Sequence, residues 1–291
     1  MSQPAQPSAA MQPVLRVFSL SHLGLGPKIA IVVLAVIVIC SLLSPWLAPH
    51  DPLQMDPLSR LKGPIEGHPL GTDNYGRDIL SRVLIGGRLS LFIGILAAAV
   101  SVVIGLVIGL VAGFYRTADA IIMRMMDALM AIPAILLAIA LVALNGPSVT
   151  SVIAAITIPE IPRVVRLVRA VVLAAREEPY VEAALALGSS MPKILIRHLL
   201  PNTLAPLIVQ GTYVLASAIL TEALLSFLGA GVSTETPTWG NIMAEGRLFF
   251  QIKPDLILYP GIMLSLCILS INLLGDAARD MLDPRLKKRA G

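Results

Sequence analysis

The sequence predicts an all-α membrane protein with six transmembrane helices and both termini cytoplasmic. Three observations predict it. Of 291 residues, 56% are hydrophobic and only 14% charged, against about 25% charged in ordinary soluble domains. The mean hydropathy of +0.82 leaves too little polar side chain to cover a globular surface. Finally, the missing charge is concentrated: Ile29–Ala48, Leu89–Tyr115, Ala128–Leu144, Thr203–Thr221 and Leu256–Gly275 contain no Asp, Glu, Lys or Arg. Crossing about 30 Å of hydrocarbon takes roughly 20 apolar residues in a helix, so each run is a candidate span.

Residues 1–27, rich in Pro, Ala, Gln and Ser, read as a mobile cytoplasmic tail. Arg16 and Lys28 precede the first apolar run, which is long and lacks a small-x-small cleavage site, so it reads as a retained helix rather than a signal peptide. Residues 28–88 form a unit of that helix and an extracytoplasmic segment. Its stretch 49–87 is dense in Pro, Gly and Asp, with a short helix expected near Asp78–Leu84. The core transmembrane unit, 89–278, opens on the second span. There Ala97, Ser101, Gly105, Gly109 and Gly113 recur every four residues. Such a ladder lets two helix backbones approach closely, which replaces the hydrophobic drive missing in lipid.

Asn145-Gly146-Pro147 breaks the next apolar stretch into a tight hairpin of the third and fourth spans. The fourth, at roughly 148–172, ends on Arg163, Arg166 and Arg169, which share one helix face. Each would cost about 2.5–3.5 kcal/mol at the bilayer centre, so an interfacial or protein-buried position is expected. Asp127 has Arg124 as a local partner, whereas Glu222 has no cation at helical spacing and suggests a pore-facing or subunit-interface role. Residues 279–291 are a basic cytoplasmic tail. Of the 22 Lys and Arg, this topology puts fifteen inside and seven outside, as the positive-inside rule requires.

The longest inner segment, 173–202, carries the most information. Pro179 suits a first helical turn and Gly188 a helix end, giving a helix of about nine residues; Ser189 or Ser190 and Pro192 start a second short helix. Ala183 and Ala184 present little side chain, so another surface can approach closely, and Glu182 and Arg197 offer polar anchors.

Other chemistries find no support. The net charge of +4 does not signal nucleic acid, because the cations flank apolar runs instead of interleaving with aromatics. Cys40 and Cys267 both sit within apolar runs as packing residues. No G-x-x-x-x-G-K-[ST], H-E-x-x-H or G-x-S-x-G occurs, so neither nucleotide binding nor hydrolysis belongs to this chain. His50, Asp51, His68 and Asp73 match no compact ligand pattern, and their prolines favour turns, so no metal site is expected.

Glu182-Ala183-Ala184, Gly188 and His198-Leu199-Leu200-Pro201 together resemble the EAA loop of ATP-binding-cassette importer permeases. More specifically, the chain resembles the C-type subunit of dipeptide/oligopeptide/nickel importers. The resemblance runs through His68-Pro69-Leu70-Gly71-Thr72-Asp73 and Gly76-Arg77-Asp78, Arg124 and Asp127, Ser226-Phe227-Leu228-Gly229, and Trp239-Gly240-Asn241. It ends in Asn272-Leu273-Leu274-Gly275-Asp276 and Asp283-Pro284-Arg285. One departure is Ile158-Pro159-Glu160-Ile161-Pro162, where the family often has an aromatic-rich stretch.

The resemblance implies a type I ABC importer bundle in a bacterial cytoplasmic (inner) membrane. This chain would supply half of a pathway for peptides, with nickel, glutathione-like or haem-type cargo as variants. Its implied partners are a second homologous permease subunit, two ATP-binding subunits or a fused double ATPase, and an extracytoplasmic substrate-binding protein. ATP and Mg would be bound by those partner ATPases, with no cofactor on this chain. Glu182, Ala183, Ala184, Gly188, His198 and Pro201 would couple to the ATPase. His68, Pro69, Leu70, Gly71, Thr72, Asp73, Arg77, Asp78 and Trp239 would dock the binding protein or seal an outer gate. Gly105, Gly109 and Gly113 would pack helices. An ion-gradient-driven secondary transporter is the alternative; it calls for paired broken helices or internal repeats and leaves the helical loop without a task.

Overall fold

A computed structural model describes residues 24–233 and 235–282, so the first 23 residues of the tail and the Asp283-Pro284-Arg285 end lie outside the described residues. The described chain is helical, with isolated β-bridges only, Ile65 to His68 and Thr72 to Asp78.

The chain opens with α1 (Leu25–Leu42) and the single turn α2 (Ser44–Leu47), which starts where Pro45 takes up a first-turn position. Most of α1 is exposed apolar surface, with only Ala30, Ile37 and Ser41 buried, as fits a helix facing lipid on one side and the bundle on the other. After an irregular segment, α3 (Ile79–Phe114) runs for 36 residues, about 54 Å. The short helix expected at Asp78–Leu84 is therefore the first turns of this long helix. Asp78 sets its start: its Oδ2 accepts from the Ser81 amide at 2.7 Å.

The third predicted span, Ala128–Leu144, is not one straight helix. The chain forms α4 (Arg116–Ala131) and α5 (Ala134–Asn145), bent by 89° at Ile132-Pro133. Pro133 has no amide to continue α4 and disfavours the helical conformation at Ile132. Gly146, at φ +81°, then closes α5. Ser148 caps α6 (Val149–Arg176), accepting from the Ser151 amide at 3.1 Å. Next come α7 (Pro179–Ala186), the turn α8 (Met191–Ile194), and α9 (Leu200–Phe227), then α10 (Trp239–Gly246) and α11 (Asp255–Leu282).

Four helices, α1, α3, the continuous stretch Met191–Phe227 and α11, are long and apolar enough to cross a membrane, and the bent α4–α5 pair makes up to five. The 28 residues of α6 carry Glu160, Arg163, Arg166, Arg169 and Arg176, too many charges to join them on composition. Yet α6 is packed by α3, α5 and α9. Val152, Ala155, Ile156, Val164, Val165, Val168 and Val172 are all essentially inaccessible. Its weak hydropathy reflects a helix that meets protein on most sides instead of lipid.

The α3–α6 seam explains the small-residue ladder. A Cβ at Gly105, Gly109 or Gly113 would stand 2.5, 2.6 or 2.6 Å from the Cβ of Val164, Val168 or Val172. The two helices therefore meet backbone against β-branched side chain over two turns, a contact only glycine permits.

Candidate functional site

The segment 173–202 presents a compact, outward-facing unit at one end of α6 and α9. Pro179 occupies the first turn of α7. The helix is eight residues long and is closed by Gly188 at φ +75°. The Gly188 amide donates to Leu185 O and the Ser189 amide to Ala184 O, both at 3.0 Å, the Schellman pattern that a left-handed residue permits. The second short helix expected here is not separate. α8 passes through a π-helical turn, Leu195–Leu199, directly into α9, so the loop is the bent end of a long helix. A bent pair of helices with one joint becomes a lever with one short arm.

Within that unit the predicted residues divide. Glu182 and Ala183 face outward, while Ala184 is 8% exposed and packs inward beside Val181 with Val172, Ile194 and Leu199. Ala184 thus holds α7 to the bundle instead of offering surface. Pro201 and Gly188 are exposed, and a Cβ on Gly188 would touch nothing within 4 Å. His198 is half-buried, its ring 6.2 Å from that of Tyr180. Asn202 Nδ2 donates to both the Tyr180 hydroxyl at 2.8 Å and His198 O at 2.7 Å. These contacts tie α7 to the first turn of α9. Arg176 Nη1 donates to Phe114 O at 3.1 Å and joins the end of α6 to the end of α3. Sequence reasoning missed the apolar part of the surface: Leu187 is 86% exposed, flanked by exposed Tyr180, Leu185, Met191 and Ile196. Exposed apolar side chains concentrated on one segment are a mark of interaction sites.

At the other end of α3 the residues expected to form a docking surface are mostly interior. Thr72, Asp73, Arg77 and Asp78 are buried, His68 and Leu70 are partly covered, and only Pro69 is exposed. Asp73 Oδ2 accepts from Arg77 Nε at 2.6 Å and Arg82 Nη1 at 2.5 Å. Glu245 of α10 completes the group, pairing with Arg82 at 3.0 Å and with Arg77. Two cations and two carboxylates balance, which lets buried charges persist. Neither Glu245 nor Lys253 was singled out by sequence; the unpaired Arg77 and Arg82 of the outer segment were the available signal. Lys253 Nζ donates to Lys62 O beneath Gly71, and burial lowers its pKa from the ordinary lysine value.

Trp239 also differs from expectation. It is 1% exposed, its Nε1 donating to Val83 O at 3.0 Å and its amide to Ser90 Oγ at 3.2 Å. Gly87 makes room for its ring. It belongs to the apolar cluster joining α1, α3, α9, α10 and α11 and offers no surface for docking.

Inside the bundle, Glu222 is fully buried, accepting from Ser90 Oγ and Ser226 Oγ at 2.9 Å each. It therefore faces neither a pore nor another subunit. Glu160 accepts from Ser217 Oγ at 2.8 Å and Arg163 Nη1 at 3.0 Å. Asp127 pairs with Arg166 at 2.6 Å and not with Arg124; Arg169 pairs with Asp119, where Arg169 Nη2 donates at 2.6 Å. The face of three arginines is thus satisfied by acids from α4 and by its own Glu160.

Residues 89–288 match the family described as binding-protein-dependent transport system inner membrane component, and residues 28–64 match the N-terminal TM domain of oligopeptide transport permease C. The chain belongs to this inner membrane permease family. It is 52% identical over 239 residues to a probable peptide ABC transporter permease protein, y4tQ, of Sinorhizobium fredii, covering 82% of each chain. It is 40% identical over 261 residues to the di/tripeptide transport system permease protein DppC of Pseudomonas aeruginosa, covering 87% of this chain and 86% of that one. The fold is similar to that of the MetNI methionine ABC transporter in inward-facing conformations, with TM-score 0.54 and 21% identity, over 69% of this chain and 96% of that chain. The permease is accordingly a multi-pass inner membrane subunit of an ABC importer.

Proposed function

We propose that this permease forms half of the translocation pathway of an ATP-driven peptide importer and is moved by ATPase subunits seated on α7. The carrying observation is the exposed apolar tip around Leu187 on a helix braced to α6 and α9. A force applied at α7 reaches α9 through the unbroken Met191–Phe227 stretch and reaches α3 through Arg176. Rigid-body rocking around a central pathway is the usual route to alternating access. Glu182, Ala183, Gly188, His198 and Pro201 belong to this coupling unit, with Ala184 as its inner support.

In this reading the chain crosses six times: α1, α3, the bent α4–α5 pair, α6, α9 and α11. Both termini and α7 are cytoplasmic, as the excess of inner Lys and Arg favours. The chain is non-catalytic; ATP and Mg belong to two ATP-binding subunits or a fused double ATPase. A second homologous permease completes the pore, and an extracytoplasmic binding protein delivers cargo to the end carrying residues 49–78. Peptide cargo rests on the names of the relatives at 40–52% identity.

The test substitutes Leu187→Asp in the assembled importer. Because the side chain is almost fully exposed, folding is retained while the docking surface gains a charge. We expect loss of ATPase co-purification and of ATP-dependent uptake of a labelled dipeptide into proteoliposomes. Unchanged ATPase binding and uptake would remove the coupling role, and uptake that follows an imposed ion gradient without ATP would establish the secondary transporter instead.

A further inference from the structure

The end of the bundle that carries residues 49–78 holds a second cluster, outside the Asp73–Arg82–Glu245 network. His50, His68 and Asp78 each place one ligand-capable atom within 4.8 Å of the other two. They line one cavity of about 400 Å³, together with Gln54, Met55 and Asp56. His68 Nδ1 stands 3.0 Å from Asp78 Oδ1, and the His50 and His68 rings stack with centroids 4.4 Å apart. The Nδ1 atom of His50 is buried with no hydrogen-bond partner among the described residues.

We propose that His50, His68 and Asp78 bind one divalent transition cation of the zinc type. Two imidazoles and one carboxylate form a borderline donor set, which selects such ions over calcium or magnesium. Donors around a tetrahedral zinc ion at about 2.0–2.2 Å lie roughly 3.3–3.6 Å from each other. The His68–Asp78 separation of 3.0 Å opens by a few tenths of an ångström to reach that spacing.

The third ligand is held in place by the backbone. The His50 amide donates to Ser81 Oγ at 3.1 Å, and Ser81 Oγ donates to Asp78 Oδ2 at 2.7 Å. The helix cap therefore uses Oδ2 and leaves Oδ1 to the site. The His50 ring tilts to converge, since its Nδ1 has no bond to break and the flanking Gly67 brings no side chain against it. Three protein ligands leave a fourth position open to the cavity. Binding at His68 Nδ1 places that ring's proton on Nε2, so the cation takes the place of the His68–Asp78 hydrogen bond and staples the segment after α2 to the start of α3.

The test uses the assembled importer in lipid nanodiscs, purified through a tag without histidine and stripped with EDTA. Equilibrium dialysis against Zn²⁺ should give one tight ion per copy of this chain, unaffected by excess Ca²⁺. Co²⁺ should produce visible d–d bands. His50→Gln should weaken Zn²⁺ binding on the order of 100-fold, since even outer partners of a metal ligand cost 10–100-fold, and should abolish the Co²⁺ bands. His50 is the decisive position because its ring caps nothing, whereas Asp78 also starts α3. Zn²⁺ uptake equal in wild type and His50→Gln, equal competition by Ca²⁺, or no Co²⁺ bands in wild type would each overturn the site. The readout is cation binding itself, so it stands or falls separately from peptide transport.

Discussion

The α3–α6 seam yields the sharpest quantitative prediction. In Gly109→Ala the new Cβ would lie 2.6 Å from Val168 Cβ and 2.9 Å from its Cγ1. Reaching an ordinary contact of 3.4 Å or more requires the helices to separate along a seam where Gly105 and Gly113 are equally tight. Overpacking of this kind costs about 1–3 kcal/mol, against a gain of about 0.5–1 kcal/mol for replacing a mid-helix glycine. The net loss is then up to about 2.5 kcal/mol. Gly211→Ala in α9 is the control: its Cβ would meet only Val102 at 3.8 Å, so the propensity gain should appear undiminished. The assay is reversible unfolding in mixed micelles, followed by far-UV circular dichroism.

A double-mutant cycle separates close packing from a general intolerance of change. Val168→Gly alone opens a cavity, and adding Gly109→Ala returns a methyl to it. The pair should therefore be more stable than the two single changes predict, with a coupling of about 0.5–3 kcal/mol. Additivity within about 0.5 kcal/mol, or Gly109→Ala as benign as Gly211→Ala, would refute the account of the seam.

Other perturbations follow from the same geometry. Arg82→Ala leaves Arg77 as the one cation between the Asp73 and Glu245 carboxylates and should cost about 3–5 kcal/mol, whereas Arg166→Ala, which breaks an exposed pair with Asp127, should cost under about 1 kcal/mol; the same unfolding assay ranks them. Trp239→Phe removes the indole donor to Val83 O, which keeps its partner within α3, and should lose about 0.5–1.5 kcal/mol, while Trp239→Ala should lose about 3–5 kcal/mol. Glu222→Gln keeps the size and one acceptor oxygen, its amide NH2 donating to the other serine hydroxyl, and should retain stability and uptake. Glu222→Ala leaves both hydroxyls without that partner and should lower the unfolding midpoint, so equal behaviour of the two would contradict the buried hydrogen-bond role.

Much was legible in the sequence because bilayer and backbone constraints are local. Charge-free runs mark long apolar helices: Leu89–Tyr115, Thr203–Thr221 and Leu256–Gly275 each follow one continuous helix to within a residue, Ile29–Ala48 runs past the end of α1 into α2, and Ala128–Leu144 is broken by Pro133. The four-residue ladder of Gly105, Gly109 and Gly113 marked a tight seam, and Pro179 with Gly188 bounded α7. These are statements about one residue and its near neighbours, which a linear chain carries in full.

Tertiary structure alone decided which partner each polar group finds and which side each face meets. Asp127 lies three residues from Arg124 but pairs with Arg166 of another helix, and Glu222 is answered by Ser90 from α3. Trp239 and most of the 68–78 motif are interior because α3, α10 and α11 close over them, although their neighbours in sequence are turn residues that suggest surface. His50 and His68 are separated in the chain by Pro- and Gly-containing turns, so only the folded segment brings them together over Asp78. Sequence thus determined where helices begin, end and touch lipid. The fold determined which charges are shared and which apolar surface, around Leu187, stays exposed.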